Sequence, residues 1–368
     1  MRLLRRALFW LTFLAMIIFL SGCWDINPIE DRTLALLIGV DRNENLFRLS
    51  VQIPTIKSLV QTASSFNNRQ GPVVKPFVVE SASLSDAIQQ LEDRNYQSMI
   101  IGTVKVIIIS PRVAEQDIVN LLTLFLRHPM VSPQTLVFCA EDKPEDIIGF
   151  EAPLEIQPGL IISKQLRSPL KLARSFPMEL WDLIARIDNR TTDPYLPIIK
   201  LDQENKSYVL EGIQVFNQGK MAGTLSPDES YIFGALTGKV EKAYQEISVQ
   251  NQQVAFHQVS YRPRIRIVKR RHQNLIHIEI RVAGTLLQIP EGFSNGVETM
   301  RKMKKAMEDQ LAKKFLPVVK KLQALNSDPV GFRKLMEVAG IKNWREAYPR
   351  IPIEIKARFN YQNYSPAR

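Results

Sequence analysis

Two cysteines and four histidines carry the greatest latent chemistry in this 368-residue sequence: Cys23, Cys139, His128, His257, His272 and His277. A thiol attacks as its thiolate, which a nearby base or cation must favour. Cys139 stands in the apolar stretch TLVFCAED without a His or Lys beside it, and reads as a small buried hydrophobe at the end of a strand. The histidines are too widely spaced for a local zinc motif, and no His-Glu-x-x-His helix occurs. His277 falls on the polar face of a strand, and His128 at the end of a helix, where an imidazole suits the dipole. The sequence also lacks a Gly-x-Ser-x-Gly elbow, a phosphate-cradling loop and a dinucleotide glycine fingerprint. These patterns offer no catalytic residue, no metal ligand set and no cofactor-binding residue, and nothing in them invites catalysis.

Cys23 has a different setting. In MRLLRRALFWLTFLAMIIFLSGC, three arginines precede an apolar run from Ala7 to Leu20 that only Thr12 interrupts. At helical rise that run covers about 21 Å, short of the ~30 Å hydrocarbon core of a bilayer, so residues 1–22 read as a cleaved secretory signal. Leu20-Ser21-Gly22-Cys23 resembles the lipobox of bacterial lipoproteins. The resemblance implies that the Cys23 thiol receives a diacylglyceryl group, that cleavage falls before it, and that Cys23 opens the mature chain. Each buried methylene adds about 0.8 kcal/mol, so two acyl chains hold a protein at a membrane where one does not.

Lys and Arg number 48 against 37 Asp and Glu, a formal charge of +11, from which removal of Arg2, Arg5 and Arg6 takes three. The excess makes an anionic partner or surface worth testing. The basic clusters VKRRH (268–272) and RKMKK (301–305) suit either a solvated face or the headgroups of an anionic membrane. No aromatic residues interleave with them and the leader exports the chain, so nucleic acid is not expected as a partner. Met300, Met303 and Met307 read as core fillers.

The apolar periods divide the rest into three consecutive α/β (α+β) domains, each a mixed sheet with packed helices. In the first, 23–150, the run TLALLIGVD (33–41) and the alternating FRLSVQIP (47–54) make a hairpin through DRNEN, and residues 59–73 a loop. A strand at 77–80 precedes a helix bearing Leu84, Ala87, Ile88 and Leu91, with Ser83 and Asp86 as a capping box. The β-branched run TVKVIIIS (103–110) needs cover on both faces. A helix over 111–127 and a strand over 135–139 follow. The second domain, 155–240, has a helical stretch at 161–187 broken by Pro169 and Pro177 and the strands YLPIIKL and YVLEGIQVF. It ends with an NQGK turn and a helix with Ser226 as N-cap, Pro227 at N1 and Glu229 at N3. The third, 245–364, sets Arg262, Arg264 and Arg266 on one strand face, and Ile276, Ile278, Ile280 and Val282 on one face of the next. A helix over 295–322 lies on the isoleucines, followed by a shorter helix and the strand IPIEIKARF.

Cys23, Trp24 and Asp25, the acids Glu30 and Asp31 before Arg32, and Gly39 with Asp41 resemble the opening of the Ger(x)C family, the lipoprotein C subunits of spore germinant receptors. The likeness continues through residues 99–129, through a Phe-x-x-x-Lys-x-x-Gly-x-Leu hairpin at Phe216, Lys220, Gly223 and Leu225, and through SDPVGF (327–332) and Trp344. Pro28 stands where the family usually has an acid, and Arg333 where it commonly has a glycine. The resemblance implies three α/β domains and a non-enzymatic subunit without a cofactor, anchored through Cys23 to the outer face of the spore's inner membrane. Its expected partners are a germinant receptor A subunit, a permease-like B subunit, and the membrane itself. The rival reading is a solute-binding lipoprotein of an ABC importer, which requires two similar hinge-linked lobes. An envelope enzyme is a third class.

Overall fold

The computed structural model describes residues 5, 6, 10, 32–53, 76–94, 98–100, 103–116, 118–128, 131–150, 162, 174–249, 252–270, 273–287 and 297–361. Cys23, the expected loop at 59–73, most of the expected helical stretch before Pro177, and His272 lie outside them.

The first half contains β1 (Arg32–Leu34), β2 (Leu37–Asn43), β3 (Leu46–Gln52), β4 (Phe77–Ser81), α1 (Leu84–Arg94), β5 (Ser98–Ile100), β6 (Val106–Ile109), α2 (Pro111–Glu115), α3 (Ile118–Arg127), β7 (Leu136–Ala140) and α4 (Pro144–Gly149). Next come α5 (Leu180–Asp188), β8 (Tyr195–Asp202), β9 (Ser207–Asn217), β10 (Lys220–Leu225) and α6 (Pro227–Leu236). The last part holds β11 (Ala243–Val249), β12 (Gln252–Arg270), β13 (Gln273–Leu286), α7 (Val297–Ala324), α8 (Phe332–Val338), α9 (Trp344–Ala347) and β14 (Ile353–Tyr361). The fold is mixed α/β.

Strand β6 shows why the larger sheet is covered on both sides. All four of its residues are buried: Ile107 and Ile109 join one apolar cluster, Val106 and Ile108 the other. That is the period-2 alternation of a strand between two layers. The sheet has eight strands in the order β10-β9-β8-β7-β6-β2-β3-β4. Its centre, β2, β6, β7 and β8, is parallel, and antiparallel hairpins finish both edges. The expected units 23–150 and 155–240 thus contribute strands to one sheet, joined where Cys139 and Ala140 of β7 pair with Ile198 and Ile199 of β8. Gly39 on β2 has no room for a Cβ, which would lie 2.6 Å from Ile148 Cδ1 and 2.9 Å from Pro144 Cβ of α4. The glycine lets α4 rest on the strand.

The expected helix over 111–127 is two. Gln116 leaves helical geometry, its side chain accepts from Arg42 Nη1 of the β2–β3 hairpin, and Ile118 N donates to Gly219 O at 3.3 Å. Bonds to other elements replace the helical ladder there. The expected capping box of α1 is half made. Ser83 Oγ accepts from Asp86 N at 3.1 Å, while the Asp86 carboxylate takes Ser81 and Gln90 as partners. At α6 both halves form: Ser226 Oγ accepts from Glu229 N, and Glu229 Oε2 from Ser226 N at 2.8 Å.

The smaller sheet runs β11-β12-β13-β14. Strands β13 and β14 are parallel, which demands the crossover that α7, α8 and α9 supply. Met303, Met307, Leu311 and Phe315 of α7 are buried with Ile276, Ile278, Ile280 and Val282 of β13 in one core.

Candidate functional site

Among the described residues, those singled out for chemistry do not converge. Cys139 lies on β7 with 2% of its surface exposed, and burial, with a smaller push from Glu115, raises its thiol pKa to about 12. It is an inert thiol. His277 Nδ1 lies 3.1 Å from Glu354 Oε2 across β13 and β14, while His128 Nε2 lies 4.0 Å from Glu92 after α3. Among the described residues no group of three His, Cys, Asp or Glu could hold a metal ion.

What the fold does assemble is a buried polar junction around SDPVGF. Ser327 Oγ donates to Phe216 O of β9 at 2.6 Å, and Tyr348 OH donates to Ser327 O at 3.0 Å. Asp328 and Asp193 are cross-linked, Asp328 N donating to the Asp193 carboxylate Oδ2 at 2.7 Å and Asp193 N to the Asp328 carbonyl O at 2.9 Å. The Asp328 carboxylate accepts from Gly331 N at 2.9 Å and Arg333 N at 2.6 Å, and so holds the start of α8. Gly331 sits at φ +96°, a conformation that a Cβ disfavours. Pro329 O accepts from Arg186 of α5 at 3.2 Å.

Arg333 fills the middle. It is fully buried, its Nη2 donates to Asp193 Oδ2, and its Nε stands 3.6 Å from Asp328 Oδ2. Its guanidinium lies 5.5 Å from the Tyr348 ring centroid. Burial pulls its pKa down to about 10, so it stays charged at neutral pH. Two buried carboxylates share one cation, and burial pushes Asp328 up to about 6 against the backbone N–H groups that favour its anion. The cluster joins β8–β10 to the C-terminal helices. SDPVGF and Arg333 were visible in the sequence, but Asp193 carried no signal of its own.

Two further contacts extend the joint. Tyr231 of α6 and Tyr261 of β12 meet hydroxyl to hydroxyl at 2.9 Å, and Lys321 of α7 donates to Glu229 of α6 at 2.6 Å.

A cleft of about 370 Å³ opens between the β2–β3 hairpin and α1–α3, with Phe47, Leu84, Val113 and Leu121 among its walls. Arg42, also in its lining, is held by Gln116 and lies 5.0 Å over the Phe47 ring.

Residues 25–201 match the model of a spore germination protein N-terminal domain, and residues 211–364 the model of a "Spore germination B3/GerAC like, C-terminal" domain. The chain belongs to the GerAC family of spore germination proteins. Similar relatives include the putative spore germination protein YfkR of Bacillus subtilis (strain 168), 21% identical over 92% of this chain and 91% of its own. Spore germination protein GerQC of Bacillus cereus is 19% identical over 95% and 96%. The crystal structure of the GerBC protein superposes with a TM-score of 0.58 at 15% identity, covering 89% of this chain and 97% of that one. A GerAC-family fold is therefore shared across nearly the full length. Both family models adjoin the junction: Asp193 falls in the N-terminal match, Asp328 and Arg333 in the C-terminal one. The SDPVGF joint ties the two GerAC domains together.

Proposed function

We propose that this GerAC-family chain is the C-type, non-enzymatic lipoprotein subunit of a nutrient germinant receptor. Acyl groups on Cys23 tether it to the outer face of the spore's inner membrane, beside an A subunit and a permease-like B subunit. The observation that carries this reading is the pair of family matches filling residues 25–201 and 211–364, with the first beginning two residues after Cys23. Relatives named spore germination proteins A3 and B3 support a place among several germination components. A tether makes contacts that are weak in solution effective by raising local concentration. Among the described residues no helix is long and apolar enough to cross a membrane.

The test is Cys23→Ala in the native host. The variant is expected to leave the spore inner-membrane fraction, to lack the acyl mass carried by the wild-type N-terminus, and to lose co-purification with A- and B-type subunits. Normal germination with a soluble, unacylated variant would refute the tether, and retention of a catalytic turnover by the purified chain would refute the non-enzymatic role.

A further inference from the structure

The outer face of the C-terminal sheet, turned away from α7, carries aligned rows of charge that strand register alone reveals. Arg262 of β12 sits opposite Arg281 of β13, which sits opposite Arg358 of β14. The neighbouring rows are Arg264, Glu279, Lys356 and then Arg266, His277, Glu354. Like charges directly opposite on adjacent strands destabilise a sheet, so three arginines in line need a compensating reason.

Compensation within the protein is partial. Six cations on these rows face two carboxylates. Glu279 is held by Arg358 at 3.3 Å, Arg281 at 3.5 Å and Arg266 at 3.6 Å. Glu354 takes His277 and, from the strand end, Arg270. Arg262, Arg264 and Lys356 have no ion pair among the described residues, and all three are exposed. The paired arginines also remain open: the side chains of Arg266, Arg281 and Arg358 are 61%, 44% and 55% exposed.

We infer that this arginine-lined sheet face is a docking surface for the anionic phospholipid headgroups of the membrane to which the chain is tethered. The three rows present no aliphatic or aromatic side chain, whereas a protein partner normally needs an apolar anchor at the centre of its interface. Guanidinium forks match phosphate oxygens, and basic residues near an anionic bilayer each add about 1 kcal/mol. The inference rests on the tethered reading in so far as a bilayer must be close by.

The test is footprinting of the chain from Cys23 onward, coupled at its N-terminus to a maleimide lipid in vesicles of phosphatidylcholine alone, or with one third phosphatidylglycerol. Phenylglyoxal modification is followed by mass spectrometry. On anionic vesicles, Arg262 and Arg264 are expected to react about fivefold more slowly than on neutral ones. High salt is expected to restore the rate, and exposed Arg112 on α2 to be unaffected. In an Arg262→Gln/Arg264→Gln/Arg358→Gln variant, Arg281 loses its protection on anionic vesicles; the corresponding Lys variant keeps it. Equal rates on both vesicle types would overturn the inference, as would protection that appears only when the A and B subunits are added. Reconstitution does not require acylation, so an unmodified Cys23 would sink the tether reading and leave this result standing.

Discussion

Arg333 of α8 and Asp193, which precedes it by 140 residues, meet as a fully buried ion pair that bolts the C-terminal helices onto the eight-stranded sheet. Removing one partner of such a pair leaves the other charged and dry, at a cost of about 3–5 kcal/mol. Arg333→Met leaves Asp193 and Asp328 facing each other without a cation, and denaturant unfolding is expected to show a loss of that size. The double variant with Asp193→Leu should be less damaged than the sum of its singles predicts. Additive losses would mean that the two side chains do not depend on each other.

The same cluster sets a pH dependence of unusual sign. Burial raises Asp328 from 3.8 to about 6, so the folded protein binds that proton more tightly than the unfolded chain does. Stability from this group is therefore greatest at low pH and falls as pH rises from about 4 to about 6, then stays level. Other carboxylates contribute the opposite slope, so the informative quantity is the difference from Asp328→Asn. Across that window the wild type should lose stability relative to the variant. A constant difference from pH 4 to pH 7 would show Asp328 ionised throughout.

Gly39→Ala should separate α4 from β2. The new methyl would press on Ile148 Cδ1, Pro144 Cβ and Ser50 Oγ, the last at 2.5 Å. Overpacking of this kind costs about 1–3 kcal/mol. Chemical denaturation measures the loss, and truncating Ile148 to Val should recover part of it. A fully stable Gly39→Ala would mean that α4 shifts freely.

Cys139 should be chemically silent in the native protein. Its thiol pKa of about 12 and its buried position leave almost no accessible thiolate at pH 8. Iodoacetamide is expected to leave it unmodified in native buffer and to alkylate it in guanidinium chloride. Rapid native labelling would contradict its burial.

Much of the local structure was legible because its causes are local. The Ser226–Glu229 capping box needs only residues three apart, and the NQGK hairpin needs a left-handed turn, met by Gln218 at φ +52° and Gly219 at φ +83°. The isoleucine face of β13 follows from alternation, as does the outward direction of Arg262, Arg264 and Arg266. The break between α2 and α3 was not legible: residues 111–127 read as one helix, and the competing partners, Arg42 and Gly219, lie far away in sequence.

The amino-acid order alone determined most of the strands and helices, which faces are apolar, the leader-and-cysteine pattern at Cys23 and the motifs of the family, because propensity, capping and periodicity act over a few neighbouring residues. Tertiary structure decided that β7 pairs with β8 so that two expected units share one sheet, that Asp193 finds Arg333, and that Arg262, Arg281 and Arg358 fall into one row. Each of these depends on register or burial between segments distant in the chain, where a shift of one residue would turn every side chain to the opposite face.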